Sequence, residues 1–168
     1  EVLNYESILN PPLIELLQTN QQHDPSLEKW FYLDPLISRD GSFIFMMNMS
    51  EIKQTFTAQQ LCAYMFSQLL SIGDAKYSVF AEFADFDVEL LPTVSQVKKT
   101  VKLATNEMVS RLVTVYVGRV QESAVNYINK ASKLLKKIPL KIMTDLKMIR
   151  DEIGELKLSE ATNEFFST

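Results

Sequence analysis

Cysteine, histidine, glycine and proline are all scarce in this 168-residue chain, which has one cysteine, one histidine, four glycines and six prolines. A single cysteine excludes an internal disulfide, and one cysteine with one histidine cannot assemble a finger- or ribbon-type zinc site. Gly41, Gly73, Gly118 and Gly154 lie too far apart for a glycine-rich phosphate loop. No run approaches the about 18 uncharged apolar residues of a membrane span. So few glycines and prolines favour helices joined by few loops over many short strands and turns.

What is present fits one globular domain. At this length about 70% of the unfolded surface can be buried, and 46% hydrophobic with 23% charged residues lies in the ordinary range. Seven methionines and ten phenylalanines suit an adaptable core or a partner-binding face. Cys62, among Leu61, Ala63, Tyr64 and Met65, has the setting of a buried, inert thiol, which points to a reducing compartment and a cytoplasmic location. The chain starts at Glu1 without a cationic, apolar leader, so it is expected to lack a signal peptide and to be one domain or a fragment of a longer protein. Asn48-Met49-Ser50 matches a glycosylation sequon, but the methionines around it place it partly inside.

Charge divides the chain in two. Residues 1–92 carry 4 basic and 13 acidic side chains, net −9; residues 93–168 carry 13 basic and 8 acidic, net +5. The halves are therefore expected to attract one another or to face different partners. The basic excess is small and mixed with acids, so no nucleic-acid partner is expected.

Punctuation predicts short helices and loops over 1–92: a helix after Asn10-Pro11-Pro12, and a second with Asp24 as N-cap, carrying Leu27, Trp30 and Phe31. Turns follow at Asp34-Pro35 and Arg39-Asp40-Gly41. Ser42 to Met47 leaves room for one short strand or hairpin near 42–48, with no evident partner strand. Thr57-Ala58-Gln59-Gln60 is a capping box that opens a helix ending at Gly73. Tyr77 to Asp87 alternates aromatic and acidic residues, as either a short helix or an extended segment.

Between Pro92 and Pro139 there is no proline. Thr93-Val94-Ser95-Gln96 is a second capping box, and Val94, Val97, Val101, Ala104 and Met108 follow the 3-4 spacing of a coiled-coil seam. Leu112 to Val117 has strand propensity, which leaves helix or strand open over 113–118; with helical flanks on both sides the segment reads as part of one long helix, with two helices meeting at Gly118 as the alternative. A further helix is expected from Pro139, with Ile142, Leu146, Ile149 and Ile153 inward. The fold class so predicted is mainly α: a helical bundle with a long central helix over 93–138.

No constellation carries chemistry. His23 sits in a polar loop without a second catalytic group, and Asp85, Asp87 and Glu89 lack the glycine and distal glutamate of a calcium loop. No enzyme activity, cofactor or metal is expected. The cationic run Lys130, Lys133, Lys136, Lys137 and Lys141 is the candidate contact for an acidic partner or a lipid surface, although the outer face of a bundle helix is the favoured reading of it.

Two segments resemble the tail (stem) of axonemal dynein heavy chains. One is Phe86-Asp87-Val88-Glu89-Leu90-Leu91-Pro92-Thr93-Val94-Ser95-Gln96-Val97; the other is Leu134-Leu135-Lys136-Lys137-Ile138-Pro139 with Leu146-Lys147-Met148-Ile149-Arg150-Asp151-Glu152-Ile153. The resemblance implies an elongated, non-catalytic segment of a microtubule motor that binds other protein chains. The expected function is thus a structural or interaction domain of a large intracellular, cytoskeletal assembly. The alternative is a peripheral membrane or vesicle-tethering module using the lysines.

Overall fold

The structure, a computed structural model, describes residues 11–118, 121–135 and 138–167. Its centre is a five-stranded mixed sheet in the order β1-β2-β3-β4-β5. The strands are β1 (Phe31–Ile37), β2 (Phe43–Asn48), β3 (Tyr77–Glu82), β4 (Leu112–Gly118) and β5 (Leu140–Met143). β1 and β2 form an antiparallel hairpin around Gly41, whose φ of 86° suits the turn. From β2 onward each neighbour is parallel to the last. Parallel neighbours need crossovers, and helices supply them: α3 (Ala58–Ser71), then α4 (Val94–Leu103) with α5 (Asn106–Arg111), then α6 (Glu122–Ser132).

Alternation along the strands divides the core into two layers. Phe45, Tyr77 and Val117 face a helical layer containing Leu61 and Leu69 of α3, Met108 of α5, and Ala124 and Ile128 of α6. The same layer takes in Leu13 of α1 (Pro11–Thr19) and Leu27 and Trp30 of α2 (Leu27–Trp30). Ile44, Met46, Phe80, Tyr116 and Met143 face the other way, onto Ile149 and Ile153 from α7 (Leu146–Glu152) and its end. Phe166 of α8 (Glu160–Ser167) completes that second layer. The stretch after Gly154 packs Leu156 and Leu158 across this face and continues into α8.

The mainly-α bundle is overturned: the fold is α/β. The stretch read as one long helix is α4, α5, β4 and α6 in succession. α4 and α6 each show one apolar stripe, which carries the helical period, while the apolar run Leu112 to Val117 is compatible with any period. It is buried on both faces between β3 and β5, as a central parallel strand requires. The 3-4 seam breaks at the end of α4, at Leu103. The short strand or hairpin expected near 42–48 is β2 with β1 as its hairpin neighbour, and the parallel partner β3 lies across α3, where a local reading cannot find it. Pro139 opens β5 and not a helix; Ile142, expected inward, is 45% exposed, and the next helix begins at Leu146. Asp34-Pro35 lies within β1, where pairing with β2 is irregular between Leu33 and Ile37.

Both capping boxes form as read. Thr57 and Thr93 accept from the amides of Gln60 and Gln96, whose side chains accept in return from the cap amides. Asp24 accepts from the Ser26 amide at 2.9 Å, and Ser26 takes the N-cap position of α2.

Candidate functional site: a chamber under α4

The inward stripe of α4 is mostly short, Val97, Thr100 and Val101 with Ala104 at its C-cap, and Gln96 and Leu103 are its only longer inward side chains. None of the ten residues of α4 is fully buried, and its main contact is with α6, not with the sheet. Side chains this short do not reach the strands, and a chamber of about 280 Å³ opens between them. Met47, Val79, Val115 and Leu140 form its floor, Met65 and Leu69 of α3 one wall, and Tyr127, Ile128 and Ala131 of α6 the other. The chamber is open to solvent on part of its boundary, so an apolar occupant would displace water from an apolar lining.

Among the described residues that line the chamber none is charged; its polar groups are Gln96, Thr100, Ser132, Cys62 and the rings of Trp30, Tyr77 and Tyr127. Burial pushes the Cys62 thiol up, opposed by a hydrogen bond with the Thr100 side chain. Tyr77 donates to the Met108 carbonyl at 3.1 Å; burial pushes its hydroxyl up to about 12, against the pull of Arg111. Burial alone pushes Tyr127 up to about 12. The indole Nε1 of Trp30 is buried and has no hydrogen-bond partner among the described residues. All of these groups stay neutral at physiological pH, so the chamber suits uncharged, apolar matter and offers no acid–base pair.

The cationic run is divided by the sheet. Lys130, in the last turn of α6, and Lys133, just past it, are exposed on the helical side. Lys141 pairs in register with Tyr116 and so shares the opposite face, where its Nζ lies 3.2 Å from Glu152 of α7. Lys136 and Lys137 fall outside the described residues. The lysines therefore flank β5 on two sides and do not form one helical stripe.

β5 is an edge of the sheet. The Val115 amide donates to the Pro139 carbonyl at 2.9 Å. Residue 139 and every second residue after it therefore face β4, which turns the amide and carbonyl of Ile142 outward. The other edge, β1, is blunted by Pro35 and its irregular register.

The remaining candidates are structural. His23, read as a solvated loop residue, is half-buried with its ring edge-on to Tyr64 at 5.2 Å. Asp87 accepts from the Glu89 amide at 3.0 Å, closing a single turn. Among the described residues no group of three or more His, Cys, Asp or Glu side chains could hold a metal ion. Asn48 of the sequon is buried, and its Oδ1 accepts from the amide and hydroxyl of Ser50. No helix among the described residues is long and apolar enough to cross a membrane.

The sequence reading missed the chamber. Its only trace was the run of small side chains on the inner face of α4, which reads equally well as a tight helix–helix seam. No protein-family model matches the chain, and no curated protein matches it.

Proposed function

We propose that the chain is a non-catalytic interaction domain of a larger intracellular assembly, and that it takes an extended, acidic segment of another protein alongside β5. The observation that carries this reading is the open outer edge of β5. Ile142 there is 45% exposed and turns its backbone polar groups outward, with Lys141 on one face and Lys130 and Lys133 on the other. A partner strand would gain main-chain hydrogen bonds from the edge, an apolar contact from Ile142, and charge complementarity from lysines on both sides. A cytoskeletal motor tail is an assembly of this kind, and the resemblance of 86–97, 134–139 and 146–153 to dynein stems points to it.

The experiment is a peptide-display selection on the folded domain. It should enrich extended peptides that alternate apolar and acidic residues, and Ile142→Pro should abolish their binding. That substitution removes the outward donor and the exposed side chain while leaving the inner ladder bonds in place. Failure to enrich any such peptide, or binding indifferent to Ile142→Pro in a variant that melts like the parent, would sink the reading. Binding to anionic vesicles that depends on Lys130 and Lys133 but not on Ile142 would favour a membrane surface instead.

A further inference from the structure

The chamber under α4 asks for an occupant independently of the β5 edge. Its lining takes in every strand of the sheet, with Phe31, Met47, Val79, Val115 and Leu140 in a row across it and Tyr77, Ala81, Leu112 and Val117 beside them on β3 and β4. At about 4.8 Å per strand, that row spans roughly 19 Å. The space is thus a flat slot between the sheet and its helical cover, which crosses the strands and also extends along β3 and β4. An apolar cavity of about 150 Å³ accepts a benzene molecule. The 280 Å³ here is nearly twice that, and by proportion accommodates roughly 11 non-hydrogen atoms. That content matches one medium-length hydrocarbon chain.

Charge decides the rest of the ligand. A lining without charged side chains excludes a charged head from the interior, because an unpaired buried charge is strongly disfavoured. Outside, Lys98, Lys99 and Lys102 are exposed on α4, which has no acidic residue, and Lys130 and Lys133 are exposed at the end of α6. α4 packs on α6, so these cations belong to the two helices that roof the chamber.

We infer that the chamber binds a single-chain anionic amphiphile of the medium-chain fatty-acid class, its hydrocarbon chain in the slot and its carboxylate outside among the roof lysines. α4, which has no fully buried side chain, is the element that lifts to admit it. Trp30 lines the chamber and is the only tryptophan, so it reports occupancy directly.

The test follows Trp30 emission of the full chain at neutral pH during titration with monomeric octanoate, decanoate, dodecanoate and octadecanoate. Saturable binding of one molecule per chain is expected. Affinity should peak at decanoate or dodecanoate and fall by about tenfold or more at octadecanoate, which is too long for the slot. Ala104→Leu and Ala131→Leu narrow the slot from the roof and from α6, and each should weaken dodecanoate by about tenfold. Absence of a saturable signal, affinity that climbs through octadecanoate, or unchanged binding in folded filled variants each overturns the proposal. A response to phosphatidylglycerol vesicles without one to monomeric fatty acids also overturns it, by placing the lipid contact on the surface. Should the filled variants fail to fold, the chain-length profile of the unaltered protein decides alone.

Discussion

Glu82, wholly buried at the end of β3, accepts a 2.9 Å hydrogen bond from the Thr162 hydroxyl, 80 residues further along the chain. Ser159 adds its amide to the carboxylate at 3.4 Å, and its hydroxyl both donates to Thr162 Oγ1 and accepts from the Thr162 amide. The first turn of α8 is therefore the polar seat of a buried carboxylate, and this seat holds the C-terminal helix on the second face of the sheet. Negative charge at a helix N-terminus is favourable for the same reason that unpaired amides there seek acceptors.

Thr162→Val keeps the shape of the seat but removes the short bond to Glu82. Hydrogen bonds to charged groups are worth about 1.5–3 kcal/mol, so a stability loss of about 2–3 kcal/mol is expected in urea unfolding. Amide exchange should rise first in α8. Glu82→Gln retains an acceptor without the charge and should cost less than Thr162→Val. The reverse order would show that the carboxylate is not the anchor of α8.

Alkaline pH should destabilise the fold. Tyr32, Tyr77 and Tyr127 are each pushed up to about 12, mainly by burial. Above the ordinary phenol value of 10 the unfolded chain releases these protons while the folded chain keeps them. Their contribution is intact below pH 10 and is lost as pH rises from 10 toward 12. Melting temperatures measured across that window should fall steadily. Tyr77→Phe should flatten the fall while costing about 1 kcal/mol at neutral pH through the lost bond to Met108.

How much of this was legible depends on the range of the signal. Thr57/Gln60 and Thr93/Gln96 are exchanges within four residues, and both were readable to the atom. Gly41, set between Asp40 and Ser42, announced its turn in the same way. Ser42 to Met47 announced a strand, but its partners Tyr77 to Glu82 had to be recruited across α3, and no local pattern records that pairing. Val115, Tyr116 and Val117 had the right propensity, which helical flanks outvoted, because a strand buried on both faces lacks the alternation that would have identified it. Glu82 looked like one more acid in an acidic stretch, since its partners lie in the final ten residues. The chamber was least legible of all: a gap is a property of two surfaces that fail to meet, and the small residues of α4 show only one of them.

The two capping boxes provide an internal comparison. α3 buries Leu61, Cys62, Ala63, Tyr64, Phe66 and Leu69, whereas α4 buries no side chain fully. Losing an N-cap costs about 1 kcal/mol in either helix, but only α4 depends on local bonds for most of its order. Thr93→Ala should therefore speed amide exchange throughout α4, while Thr57→Ala should leave the middle of α3 protected. Equal effects on the two helices would show that α4 is packed as firmly as α3 and is no lid.

Gly154 offers the sharpest test of how the C-terminal segment is fixed. Its φ of 133° is a conformation that residues with a Cβ rarely adopt, and an added Cβ would stand 3.1 Å from Leu36 Cδ2 of β1. The neighbouring bonds fix the place: the Arg39 amide donates to the Ile153 carbonyl at 3.1 Å, and Arg39 Nε donates to the Arg150 carbonyl at 3.0 Å. The backbone cannot relax without breaking this tie between α7 and the β1–β2 hairpin. Gly154→Ala should consequently cost about 1–3 kcal/mol, read as a lower urea midpoint. Leu36→Ala removes the clash but not the φ strain, so adding it to Gly154→Ala should recover only part of that loss. Full recovery would mean that the contact with Leu36, and not the backbone, demands glycine here.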